Sequence, residues 1–201
     1  MFDRAATRLI SPAIQRLARQ LVRIGLSANQ LTLTGFAIGM LAAALVAVQW
    51  YGPAIVAILA SRLCDALDGA MARETRVTDA GGFLDIALDF IFYAAIPLGF
   101  AIADPARNAL AAATLLAAFV GTMASFLAFA VLAAKRGLNN LAYPDKSFYF
   151  LGGLTEATET LAFFVAMCLW PQHFAWLAYG FSAMCVLTTG TRIWWGWKTF
   201  S

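Results

Sequence analysis

The sequence predicts an all-α integral membrane protein, six transmembrane helices preceded by an amphipathic helix on the membrane surface. Three observations predict it. The chain is 62% apolar and 12% charged, far from the roughly 45–50% and 25% of soluble domains. Six apolar runs are long enough to cross about 30 Å of hydrocarbon, which takes about 20 helical residues. Lysine and arginine gather on one side of the topology those runs impose, as the positive-inside rule requires. Residues 1–25 are assigned to the surface helix and residues 26–201 to one six-helix catalytic domain.

Within residues 2–24, Arg4, Arg8, Arg16, Arg19 and Arg23 share an arc of about 120° on a helical wheel. Leu9, Ile10, Ile14, Leu17, Leu21 and Ile24 take the opposite face; Val22 breaks the pattern and Pro12 predicts a kink. A basic amphipathic helix of this kind reads as an interfacial element meeting anionic lipid. A signal peptide does not fit, because arginines interrupt any apolar core and no small-residue cleavage site follows.

The six runs lie near 29–50, 53–73, 79–103, 108–134, 148–170 and 174–197. The first and fourth carry no charge, whereas the second, third and fifth contain acids that lower their hydropathy. With both termini inside, the cytoplasmic side holds the N-terminal arginines, Arg73, Arg76, Lys135, Arg136, Lys146 and Lys198, and the opposite side only Arg107. Trp50, Tyr51, Trp170, Trp194, Trp195 and Trp197 mark span ends, as an aromatic belt does. Cys64, Cys168 and Cys185 are odd in number and lack metal-ligand spacing, so they read as small buried apolar residues. His173 follows Pro171 in a far-side turn.

Four aspartates interrupt the second and third runs, as Asp65-x-x-Asp68-Gly69-x-x-Ala72-Arg73 and then Gly81-x-x-x-Asp85-x-x-x-Asp89. A carboxylate in hydrocarbon costs several kcal/mol unless paired, so intramembrane acids default to a functional reading. At 100° per residue, Asp65, Asp68 and Ala72 share an arc of about 60°, and Gly81, Asp85 and Asp89 one of about 80°. A hairpin joined near residues 74–80 can therefore aim all four carboxylates at one spot, where they need counter-charge. Mg²⁺ or Mn²⁺ suits oxygen ligands, and two ions balance four carboxylates. Such a cluster fits two-metal phosphoryl transfer. Charge and spacing do not say which aspartate is the base.

The pattern resembles the signature of the CDP-alcohol phosphatidyltransferases, whose eight diagnostic positions are all filled across these 25 residues. The similarity extends to the six-span length and to Ser27-Ala28-Asn29-Gln30-Leu31-Thr32, where many members carry Pro in place of Ala28. The stretch from Lys146 to Thr160 resembles a bacterial inner-membrane branch, which implies that location but no particular acceptor. The resemblance implies Asp89 as general base, Asp65, Asp68 and Asp85 as the main metal ligands, and a cytidine site at Asp68, Gly69, Ala72 and Gly81. It also implies transfer of a phosphatidyl group from CDP-diacylglycerol to a small alcohol with release of CMP, and a homodimer. No nucleic-acid partner is expected.

Gly69, Ala72 and Gly81 serve close helix packing equally well, and the motif context favours the nucleotide. Arg73 can pair with a diphosphate oxygen or act only as a topogenic charge. Asn29 and Thr32, one turn apart, can meet the nucleotide, or Asn29 can simply cap its helix. For the acceptor the candidates are Arg62, Glu156, Glu159 and Lys146. Arg62 can instead neutralise Asp65 or a glutamate, and the glutamates can pair with Arg62 or Arg192. Two other functions compete: a CDP-linked small alcohol as donor with a lipid as acceptor, and a cation- or proton-coupled transporter. The transporter reading calls for an inverted repeat and acids at mid-membrane; the chain has no such repeat and its aspartates gather toward one face.

Overall fold

The computed structural model describes residues 3–137 and 155–201. Helices α1 (Asp3–Arg23), α2 (Ala28–Ala47), α3 (Tyr51–Glu74), α4 (Asp79–Ala103), α5 (Pro105–Lys135), α6 (Ala157–Leu169) and α7 (Phe174–Phe200) account for nearly all of it, with one 3-10 turn, Pro171–His173, between the last two. No strand occurs among the described residues.

Helix boundaries have local causes. Ser27, not Asn29, caps α2: its Oγ accepts from the Gln30 N–H at 3.2 Å, and the Gln30 carboxamide accepts from the Ser27 N–H at 3.0 Å. This reciprocal capping box satisfies two otherwise unpaired donors and removes capping as the alternative role for Asn29. Thr78 begins α4, its Oγ1 accepting from the Gly81 N–H at 3.1 Å. Asp104 begins α5 in the same way, accepting from the Arg107 N–H at 3.1 Å, and Pro105 occupies the first helical turn, where its missing N–H is harmless.

The fifth predicted run needs correction. Residues 148–154 lie outside the described residues, Thr155 and Glu156 are not helical, and α6 starts only at Ala157. Its 13 residues rise about 20 Å at about 1.5 Å each. The two glutamates therefore sit at a helix start and not inside a continuous span.

Helices α2, α4 and α5 are each long and apolar enough to cross a membrane; α6 and α7 pass the same test together, bent by 112°. Helix α3 has 24 residues but carries Arg62, Asp65, Asp68, Arg73 and Glu74, so apolarity alone undercounts it. The chain is an all-helical membrane protein. One core joins α2 through α7, built on Val46, Ile58, Phe92, Ile96, Phe100, Leu115, Phe119, Phe164, Met167, Phe174 and Phe181. Ring stacking holds the far end, with Phe100 against Phe174 and Phe163 against Phe181, both at 4.4 Å between centroids. Close backbone approach brings α4 onto α2: a Cβ at Gly99 would lie 2.6 Å from the Ala43 carbonyl, and one at Gly39 would lie 2.6 Å from the Phe92 ring.

Helix α1 docks on α3. Ala18 is buried against Leu67, Ala70 and Met71, with Ile14, Leu21 and Val22 packed around it, and Arg19 pairs with Glu74 at 3.7 Å. Val22, which breaks the amphipathic pattern, belongs to this protein contact, while Ile24 is exposed.

Candidate active site

Helix α2 packs along both α3 and α4, whereas α3 and α4 touch each other little. The cleft so formed holds a cavity of about 390 Å³. Asn29 and Thr32 of α2, Asp68, Gly69, Ala72 and Arg73 of α3, and Gly81, Asp85 and Asp89 of α4 all line it. Every residue expected from the sequence to meet a nucleotide is therefore in one wall. A Cβ at Gly81 would stand 3.0 Å from Thr78 Oγ1 and 3.1 Å from Asn29 Oδ1, so bare backbone there leaves room for the Asn29 amide. Arg76, Thr78, Ile86, Phe90 and Phe126 also line the cavity and were not foreseen. Arg76 reads in the sequence as a topogenic charge only, and Phe126 comes from a helix remote from the motif.

The aspartates divide three and one. Ligand oxygens of Asp65, Asp68 and Asp85 all lie within 4.8 Å of one another. Asp68 is 5% exposed, and its Oδ2 is buried without a hydrogen-bond partner. An orphaned buried carboxylate oxygen costs free energy, and a set of three carboxylates matches the oxygen preference of a hard divalent cation. Asp89 sits beside them but is engaged elsewhere: Arg62 Nη1 donates to its Oδ1 at 2.6 Å and lies 3.5 Å from Asp65 Oδ1. Arg62, expected either at an acceptor or against Asp65 or a glutamate, is thus held by two aspartates.

A second cavity of about 210 Å³ shares Phe90 and Phe126 with the first. Its polar lining is Tyr93, Thr122, Thr155, Glu156, Thr160 and Arg192. Arg192 is 9% exposed and donates from Nη1 to the Thr122 carbonyl at 3.1 Å. Of the acceptor candidates, Glu156 lines this cavity, Glu159 does not, and Lys146 lies outside the described residues. The Glu159 carboxylate instead accepts from the Glu156 N–H at 3.1 Å, a capping contact at the start of α6. Four helices assemble this cavity, and no local motif announces it.

With that geometry in hand, likeness to known proteins can be weighed. The CDP-alcohol phosphatidyltransferase family profile matches residues 26–195. The chain is 54% identical over 199 residues to the inner membrane protein YnjF of Escherichia coli K12, covering 99% of this chain and 97% of that protein. It is 28% identical over 169 residues to the archaetidylinositol phosphate synthase of Pyrococcus horikoshii, covering 80% and 87%. Two crystal structures of the Mycobacterium tuberculosis phosphatidylinositol phosphate synthase PgsA1 share the fold, each at 24% identity with a TM-score of 0.69. The one with CDP-DAG bound covers 92% of this chain and 93% of that chain; the one with manganese and citrate covers 92% and 88%.

The capping contact at Glu159 generates a stability prediction. Glu159→Ala should lower the melting temperature in detergent, since a lost cap costs about 0.5–2 kcal/mol. Glu159→Gln, which retains a side-chain acceptor at that position, should melt close to the parent. Equal loss in both variants would mean that charge, and not capping, is what Glu159 contributes.

Proposed function

The chain belongs to the CDP-alcohol phosphatidyltransferase family, and on that premise we propose that it moves a phosphatidyl group from CDP-diacylglycerol to a small alcohol, releasing CMP at the cytoplasmic face. One observation carries the reading: the cavity of about 390 Å³ brings the nucleotide-type residues of α2, α3 and α4 beside a carboxylate triad. The protein is an integral transferase of the bacterial inner membrane. Gly69, Ala72 and Gly81 leave space for a cytidine ring, Asn29 and Thr32 offer it polar contacts, and Arg73 pairs with the diphosphate. Asp65, Asp68 and Asp85 would hold divalent metal, Mg²⁺ or Mn²⁺, two ions in the full arrangement. When bound, the metal neutralises the diphosphate and the charge that develops on CMP.

Asp89 acts as general base. An acceptor hydroxyl on its side of the cavity gives its proton to the carboxylate while its oxygen attacks the phosphorus bearing the diacylglycerol. The bond from that phosphorus to the bridging oxygen breaks, and CMP leaves with the oxygen. The second cavity supports an acceptor chamber that adjoins the first at Phe90 and Phe126, with Glu156, Thr160 and Arg192 as its polar contacts. PgsA1 has been crystallised with CDP-DAG and with manganese, in keeping with this donor and this metal class.

The proposed membrane arrangement keeps six spans, with α1 lying at the cytoplasmic interface. Arg73, Arg76, Lys135, Arg136 and Lys198 all fall on the inner side of it, which supports a cytoplasmic site. Cysteine introduced as Arg76→Cys should react with a membrane-impermeant maleimide only from the cytoplasm, and Arg107→Cys only from the opposite side. Reversed labelling would overturn the orientation.

Activity is tested by CMP release from CDP-diacylglycerol with glycerol phosphate, inositol phosphate, serine or water as acceptor. EDTA should abolish release, and Mg²⁺ or Mn²⁺ should restore it; full activity in metal-free buffer would remove the metal reading. Asp89→Asn should lose the roughly 10²- to 10⁴-fold contribution of a positioned base while still binding CDP-diacylglycerol. Asp68→Asn should weaken metal and nucleotide binding as well. Equal loss of donor binding in both variants would sink the separate role of Asp89.

A further inference from the structure

Arg62 lies one turn before the motif and belongs to none of its eight positions, yet it is the residue most firmly built into the acidic centre. Its side chain is 13% exposed. The guanidinium lies over the Phe92 ring at 4.1 Å and within 5.6 Å of the Tyr93 ring. Its Nη2 donates to Ser61 Oγ at 3.3 Å, and that hydroxyl donates to the Gly35 carbonyl at 2.7 Å. Asp89, Phe92 and Tyr93 stand three and four residues apart, on one face of α4. One arginine from α3 therefore grips α4 by a carboxylate and two rings, while Ser61 ties the grip to the backbone of α2. A Cβ at Gly39 would meet both Phe92 and Ser61 Oγ, at 2.6 and 2.9 Å, so the support beneath the guanidinium is packed tight.

Among the described residues Arg62 lines neither large cavity and borders a space of about 10 Å³ among the aspartates. That is at the lower limit for one water, too small for an acceptor headgroup. We infer that Arg62 is a positioning residue for Asp89: it holds Oδ1 in a fixed ion pair, keeps this carboxylate out of the metal-holding triad and leaves Oδ2 for the acceptor hydroxyl. Arg62 Nη1 also stands 3.5 Å from Asp65 Oδ1, so the guanidinium binds Asp89 closely at 2.6 Å and touches only the edge of the triad. The inference rests on the reading of Asp89 as base.

The test uses the full-length protein in detergent, with CMP release from CDP-diacylglycerol and Mn²⁺ affinity by electron paramagnetic resonance. In Arg62→Ala the base is loosened, so kcat should fall about 100-fold, the usual penalty for a misplaced catalytic group. The KM for CDP-diacylglycerol and the Mn²⁺ affinity should barely move. Guanidinium added to Arg62→Ala should raise the rate about tenfold, a rescue that a general loss of packing would not show. Should Arg62→Ala not fold, Arg62→Lys carries the test: the charge stays, the planar fork is lost, and the same fall in kcat without a change in KM or Mn²⁺ affinity is expected. An unchanged kcat, a loss of Mn²⁺ affinity in step with kcat, or a folded Arg62→Ala that guanidinium does not rescue would each overturn the inference. Asp89→Asn run alongside separates the two claims. If it keeps the parent rate, the base reading fails; if it is inactive while Arg62→Ala is not, only the role of Arg62 fails.

Discussion

Four carboxylates among membrane helices, Asp68 buried and the other three half-buried, need positive charge close by, and the packing of α2, α3 and α4 brings it to them. Removing one partner of a buried pair strands the other, which is far costlier than never burying the pair. Asp89 meets this constraint with a protein cation, Arg62, at 2.6 Å. Asp65, Asp68 and Asp85 converge within 4.8 Å; Arg62 also reaches Asp65 at 3.5 Å, while Asp68 Oδ2 is buried without a hydrogen-bond partner. Helix α2 makes this arrangement possible by packing along α3 and α4 while those two stay apart. The open cleft between them holds the cavity that the proposed nucleotide would enter.

The motif residues were legible in the sequence because their spacing translates directly into helix phase. Asp65, Asp68, Ala72 and Gly81, Asp85, Asp89 need only 100° per residue to be placed on facing sides, and all but Asp65 line the large cavity. One partner of Arg62, Asp65 one turn away, was legible and is found at 3.5 Å; the closer one was not, because Asp89 is 27 residues away and reached only through the relative rotation of two helices. The second cavity is harder still, since Tyr93, Thr122, Glu156 and Arg192 come from different helices or their ends. Its polar groups look isolated along the chain.

Helix starts were the least legible feature. Of the two readings open for Asn29, capping is excluded because Ser27 and Gln30 close a reciprocal pair, a stronger local signal than one amide. Asn29 instead lines the large cavity. Treating Glu156 and Glu159 as acids at membrane depth assumed an unbroken helix from 148, whereas α6 starts at Ala157. At a helix N-terminus an acid is locally favourable, because it satisfies free N–H groups and meets the positive end of the helix dipole. The membrane default for buried acids is therefore not needed to explain the backbone contact of Glu159, while Glu156 lines the second cavity.

The position of Arg62 also bears on how one family can change acceptor without changing its chemistry. The grip on Asp89 comes from α3 and is backed by Ser61, Phe92 and Tyr93. The polar lining of the second cavity comes mainly from α5, the start of α6 and α7, and Tyr93 alone belongs to both sets. A substitution at Thr122, Thr160 or Arg192 can therefore reshape that cavity without contact to the base or the carboxylate triad. Energetic effects of sites with no shared partner add nearly independently, so under the proposed function acceptor preference and proton-transfer geometry would be free to drift apart. Tyr93 is where that independence should fail, because its ring faces the guanidinium that holds Asp89 and its side chain also borders the second cavity.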